Sequence, residues 1–198
     1  LFKHESTSEN GYFVLGVTSN KNRKKQYNPY PRNKNYNHAV EHIETIVENY
    51  LPIVLSDYDV NLSSTKRIVM GASMGGLMAI KTSILYPIFE NIFSSSPAFW
   101  YGYVDFIKDL KNINKNALCN LSVGLKEGDL FGDEVGNIFP TEWDLDFSNN
   151  DNFYVSGVRK VNEVFQKNKI KTNYIEQSNG KHNENSWLPI LDKFLIST

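Results

Sequence analysis

Apolar residues in this chain fall into two kinds of run that alternate from end to end. Tyr12-Phe13-Val14-Leu15-Gly16-Val17-Thr18 is continuous, β-prone and bounded by polar residues, the pattern of a strand covered on both faces. It is predicted to be a central strand. After a polar stretch holding Pro29 and Pro31, the residues Val40, Ile43, Val47 and Tyr50 recur at the spacing that lines one helix face, and Pro52 should kink or restart that helix. Lys66 to Met70 reads as the next strand, Gly71-Ala72-Ser73-Met74-Gly75-Gly76 as a tight turn, and Leu77 to Tyr86 as a helix. Beyond it the pattern predicts a short strand at Ile92 to Ser94, helical spacing from Val104 to Ile113 and a strand at Asn120 to Val123. A helix from Phe153 to Lys167, a strand at Thr172 to Glu176 and a terminal helix from Trp187 to Ile196 complete the order. Strands alternating with helices imply a parallel sheet covered on both faces, so the fold class is α/β. The chain has 198 residues with no repeat or dividing linker, so a single domain over 1–198 is expected.

Charge narrows the partners. With 21 Lys+Arg against 22 Asp+Glu the formal charge is −1, which argues against nucleic acid or a polybasic membrane contact. No apolar run approaches the roughly 18 to 20 residues of a membrane helix, so a soluble protein without a membrane partner is expected. The single Cys119 excludes an internal disulfide and a multi-cysteine metal site. Two loops break the even balance. Lys21, Arg23, Lys24, Lys25, Arg32 and Lys34 cluster between Ser19 and Val40, and Asp129, Asp133, Glu134, Glu142, Asp144, Asp146 and Asp151 cluster between Gly128 and Asn152. Each follows a predicted strand and is therefore expected at the carboxyl edge of the sheet, where open α/β folds bind ligands. Asp144 to Ser148 resembles the start of a calcium loop but lacks its glycine and closing glutamate, and no metal or organic cofactor is implied.

The chemistry centres on Gly71-Ala72-Ser73-Met74-Gly75, a G-x-S-x-G between a predicted strand and a predicted helix. A serine held on such a turn has strained backbone angles, and glycines two residues either side let strand and helix pack close. The helix start also offers the Met74 N–H to an oxyanion. A serine hydroxyl needs a base, and the base a carboxylate to orient it. Of the four histidines, His4 lies in a polar terminus and His38 and His42 in a helix upstream of the turn. His182 lies in a loop after the last predicted strand, where the chain order Ser, acid, His requires its base. The acid is expected after the strand ending near Val123, as Glu127 or Asp129, with Glu127 favoured.

These residues carry a resemblance. Gly71 to Gly76, Ser94-Ser95-Ser96-Pro97-Ala98-Phe99-Trp100, Gly124-Leu125-Lys126-Glu127, and Gly180-Lys181-His182 with Trp187 together resemble the putative esterase family of α/β-hydrolases. That family includes enterochelin, feruloyl and acetyl xylan esterases, S-formylglutathione hydrolase and mycolyltransferases. Val14 to Asn20, Arg23 and Tyr27-Asn28-Pro29 are also similar to the family's strand and loop before the elbow, so the resemblance spans nearly the whole chain. It implies Ser73 as nucleophile, Glu127 as acid, His182 as base and Met74 as oxyanion donor. Trp100 and Trp187 would border the pocket and Arg23 would meet substrate. Lys181 stands where the family often has a second glycine, and the acidic stretch 128–152 looks like a lid-like insertion.

In the α/β-hydrolase fold Tyr12 to Thr18 would be the fourth strand and Lys66 to Met70 the fifth. The third, which lies between them and precedes a second oxyanion donor, would come before Leu1. A chain lacking it has unpaired strand edges, so an N-terminally truncated fragment is expected. The function expected is a serine esterase acting through an acyl-enzyme on a small-molecule ester. The alternatives are an acyltransferase on the same residues, a non-catalytic binding domain on a hydrolase-like fold, and a structural turn at Gly-Lys-His with the three residues apart. Localisation, oligomeric state and the particular ester are not legible.

Overall fold

Four parallel strands, β1 (Ile68–Ala72), β2 (Asn91–Ser95), β3 (Leu118–Gly124) and β4 (Lys171–Gln177), lie side by side in chain order. The computed structural model describes residues 13–32, 37–58, 61 and 66–197. Expectations on His4, Tyr12 and Lys34 fall outside these. The helices are α1 (Arg23–Gln26), α2 (His38–Glu44), α3 (Leu51–Asp57), α4 (Met74–Leu85), α5 (Tyr103–Asp109), α6 (Val135–Ile138), α7 (Asn150–Lys167) and α8 (Glu184–Ser197).

Each crossover steps to the next strand in the same direction, so right-handed connections place α4, α5 and α7 on one face. The core confirms it: Leu77 and Ile80 of α4, Phe106 of α5 and Val158, Val161 and Phe165 of α7 bury against Ile92, Leu121 and Val123. The adjacent Phe93 points to the opposite face, where it packs with Ile190 and Phe194 of α8. This is the period-two alternation of a strand buried on both sides. Phe99 seats in the notch left by Gly157, where a Cβ would come within 2.1 Å of its ring.

The helix read from Val40, Ile43 and Val47 is present, with Ala39, Ile43 and Val47 buried against Met78. Between α2 and α3 the residues Thr45–Tyr50 are π-helical, just ahead of Pro52. Proline lacks the N–H for the ordinary i→i−4 bond, and the looser turn absorbs that loss before α3 restarts.

The first predicted strand is not observed: Phe13 to Asn20 has no strand pairing, and Phe13 and Val17 are exposed. A strand forms only when a neighbour takes its backbone hydrogen bonds. Among the described residues no strand lies beside the outer edge of β1, and Phe13 is left to pack against the Tyr58 ring at 4.9 Å.

Candidate active site

Parallel register brings four strand ends to one rim. Ala72 pairs with Ser95, Ser95 with Ser122, and Gly124 with Gln177. Three further bonds extend the ladder beyond the strands: Ser73 N–H to Ser95 O at 2.9 Å, Ser96 N–H to Ser122 O at 2.7 Å, and Leu125 N–H to Gln177 O at 2.9 Å.

Ser73 occupies the single residue between β1 and α4 with φ 56° and ψ −124°, a conformation that strains any residue with a Cβ. The turn is tight because the backbone crosses itself: a Cβ on Gly71 would stand 2.3 Å from Gly75 O, and one on Gly76 2.9 Å from Ser94 Oγ. Gly75 itself differs from the sequence expectation, since a Cβ there meets nothing within 4 Å. Its backbone, and not its missing side chain, makes the close contact. Met74 is the first residue of α4, so its N–H is one of the helix-start donors with no intrahelical acceptor, and no acidic residue sits in that first turn.

Two loops deliver the other side chains. Gly124 and Gly180 are pressed together, a Cβ on Gly124 lying 2.3 Å from Gly180 O, and Lys126 N–H donates to Gly180 O at 2.9 Å. This staples the loop after β3, with Glu127, to the loop after β4, with His182. Asn183 Oδ1 then accepts the Ser186 N–H at 3.2 Å, capping α8 one residue after the histidine. Lys181 needs no positive φ; its side chain is exposed and its N–H donates to Ser186 Oγ at 2.8 Å.

The result is a continuous hydrogen-bonded chain. Ser73 Oγ lies 2.8 Å from His182 Nε2, and His182 Nδ1 lies 2.8 Å from Glu127 Oε2. Glu127 is 1% exposed, and its Oε1 accepts the Gly124 N–H and the Ser96 hydroxyl, each at 2.6 Å. Asp129, the alternative acid, is exposed. Of the other histidines, His38 pairs with Glu41 at 3.6 Å and His42 lies 5.7 Å from the Tyr27 ring. Such a chain can take a proton from the serine hydroxyl and leave a nucleophilic oxygen at a helix start that favours developing negative charge.

The remaining predicted residues separate. Trp187 sets its ring edge-on to His182 at 4.9 Å and turns its indole N–H inward to Ser96 Oγ at 3.0 Å. Trp100 stands one layer back, against Tyr154 at 5.1 Å and Phe131 at 5.0 Å, while Tyr154 is the ring that meets His182 at 5.4 Å. Arg23 is exposed on α1 with its guanidinium 5.8 Å from the Tyr27 ring, and its described contacts include none with Ser73, Glu127 or His182. In the acidic stretch Asp144 pairs with Lys160 of α7 at 2.7 Å, and Asp151 accepts the Gly128 N–H at 2.6 Å. Phe131, Phe139, Trp143 and Phe147 from the same stretch pack on the main core.

Ser96 and Tyr154 are site residues that sequence reasoning assigned no role. The signal for Ser96 was present: three consecutive serines closing a strand that is otherwise buried need internal partners.

The strand order, the crossovers and the serine turn are those of the α/β-hydrolase fold. Solved structures agree on the fold. Siderophore hydrolase EstA from Aspergillus nidulans superposes with a TM-score of 0.61 at 17% identity, covering 94% of this chain and 69% of that one. A ferulic acid esterase gives 0.57 at 13% identity, covering 78% and 59%. The enterobactin esterase FES from Shigella flexneri gives 0.65 at 16% identity, covering 90% and 41%. The chain thus spans between about two fifths and two thirds of the length of these structures. No curated protein sequence matches it. The family described as Putative esterase matches residues 7–198, and the chain belongs to that family.

Proposed function

We propose that the protein hydrolyses carboxylic esters of small molecules through a covalent acyl-enzyme on Ser73. The observation that carries this reading is the unbroken chain from Ser73 Oγ through His182 to Glu127, both links 2.8 Å, with Ser73 at φ 56° at the start of α4. Membership of the esterase family supports the reaction class.

In this mechanism His182 Nε2 accepts the Ser73 proton as Oγ attacks the ester carbonyl, and Glu127 holds the imidazole in place and offsets its charge. The Met74 N–H faces the oxyanion that forms. His182 returns the proton to the departing alcohol, water then attacks the acyl-serine with His182 as base, and the acid leaves. Trp187, with its ring against His182, would form one wall for the substrate, and Trp100 would support that wall through Tyr154. Among the described residues no helix is long and apolar enough to cross a membrane.

Ser73→Ala is expected to abolish hydrolysis of a short p-nitrophenyl ester and labelling by a fluorophosphonate probe, with an unchanged circular dichroism spectrum. Undiminished turnover in that variant ends the assignment. A panel of catecholate esters, feruloyl esters, acetylated sugars and thioesters then ranks the acyl groups, since the similar structures include a siderophore hydrolase and a ferulic acid esterase.

A further inference from the structure

Every polar atom of Ser96 is engaged. Its N–H donates to Ser122 O at 2.7 Å, its carbonyl accepts the Tyr154 hydroxyl at 2.6 Å, and its Oγ lies 2.6 Å from Glu127 Oε1 and 3.0 Å from Trp187 Nε1. The residue is fully buried and sits at φ 46°. A serine in that region is strained, so its surroundings hold it there against a cost.

The direction of these bonds follows from what each group can do. An indole N–H is a donor only. Ser96 Oγ must therefore accept from Trp187, and its one proton is committed to Glu127 Oε1. That oxygen already accepts the Gly124 N–H at 2.6 Å, so it is an acceptor twice over. The remaining oxygen faces His182 Nδ1 at 2.8 Å and completes the set when Nδ1 carries the hydrogen. Nε2 then presents its lone pair to Ser73 Oγ at 2.8 Å.

We propose that Ser96 is a positioning residue for the ester hydrolysis, and that the Trp187 indole N–H sets the direction of its hydroxyl. The Ser96 and Gly124 bonds hold one carboxylate oxygen of Glu127 so that the other stays on His182 Nδ1, and this placement keeps His182 in the Nδ1–H tautomer. Trp187 also sets its ring edge against the imidazole at 4.9 Å, but its bearing on the tautomer runs through its N–H, Ser96 and Glu127. Tyr154 supports the same arrangement by bonding the Ser96 carbonyl while its ring meets His182 at 5.4 Å. The kinetic consequence rests on the serine-hydrolase reading above; the tautomer does not.

The test uses Ser96→Ala, Ser96→Gly and Trp187→Phe, with Ser73→Ala as reference, and two readouts. Nitrogen-15 NMR of the His182 ring should show a single Nδ1–H tautomer in the wild type and a mixture in all three variants. Turnover of a p-nitrophenyl ester by either Ser96 variant should fall about 10- to 100-fold at unchanged KM, the range for one hydrogen bond to a charged group. The glycine variant separates hydroxyl from backbone. It relieves the φ strain, so it should melt above the alanine variant and lose the same turnover. In the Ser96→Ala background, Trp187→Phe should leave the tautomer mixture where it stands.

Wild-type tautomer and turnover in both Ser96 variants overturn the proposal, as does a loss confined to alanine, which would place the effect in the backbone. A further tautomer change on adding Trp187→Phe to Ser96→Ala overturns the direction-setting part. Equal turnover in wild type and Ser73→Ala removes the hydrolase reading instead, and the NMR measurement still decides the tautomer.

Discussion

Substituting Gly124 by alanine should disable the site without replacing any of its three principal side chains. The new Cβ would lie 2.3 Å from Gly180 O and 2.8 Å from Glu127 Oε1. Ordinary contact begins near 3.4 Å, so the two loops must part by about 1 Å to relieve the clash. Both obstructing groups in the first contact are backbone and cannot rotate away. The same two loops carry Glu127 and His182, whose link is 2.8 Å, and the Gly124 N–H is itself a donor to Glu127. A displacement of about 1 Å in a catalytic constellation costs on the order of a hundredfold in rate. Overpacking of this kind destabilises by about 1 to 3 kcal/mol, which for a domain of this size lowers the melting temperature by roughly 2 to 12 °C. The measurement is kcat/KM on a p-nitrophenyl ester beside a thermal melt, with Gly136→Ala as control because its Cβ would meet nothing closer than 3.9 Å. Wild-type turnover and melting in Gly124→Ala would refute the reasoning. A lowered melting temperature with full turnover would mean that the strain relaxes away from Glu127.

Other expectations follow from the same contacts. Gly71→Ala, with a Cβ 2.3 Å from Gly75 O, should destabilise by about 1 to 3 kcal/mol, whereas Gly75→Ala, with open space and a helical position, should melt at the wild-type temperature or slightly above it; equal melting of the two variants would contradict this account of the turn. Burial on its own would raise the Asp109 carboxyl, but hydrogen bonds from Lys81, Asn112 and Tyr30 outweigh it and hold the group below the ordinary carboxylate range. A depressed folded-state value contributes stability that is present above the unfolded value of about 3.9 and lost as pH falls through the folded one. Melting attributable to this group should therefore be level from neutral pH down to about 5 and decline below about 4, and Asp109→Asn should flatten that decline. Burial pushes the Cys119 thiol up, so it should react with a thiol reagent only at the rate of unfolding, and rapid labelling of the native protein would contradict its placement in β3.

The elements after Lys66 were legible because their apolar spacing repeats the geometry they adopt: each predicted strand and helix from there on overlaps an observed one. Tyr12 to Thr18 had an equally strong apolar signal, yet its described part is not a strand. Composition records a tendency to be buried in a sheet, but pairing requires a neighbour, and β1 offers none on that side among the described residues. The same limit separates Arg23, read as a substrate contact from resemblance alone, from His182, whose loop position also followed from chain order.

Local chemistry therefore marked Ser73, His182 and Glu127 in the sequence, because a strained turn, a loop histidine and a loop acid in that order are properties of short segments. What joins them is not local. Ser73 and His182 are 109 positions apart in the chain, and their 2.8 Å contact exists because parallel register aligns four strand ends at one rim. The backbone contact of Gly124 with Gly180, the turn of Trp187 toward Ser96, and the commitment of the Ser96 proton to Glu127 arise only once those ends are packed together. A one-dimensional pattern encodes which face a residue prefers; the choice of its partner depends on distances that folding alone creates.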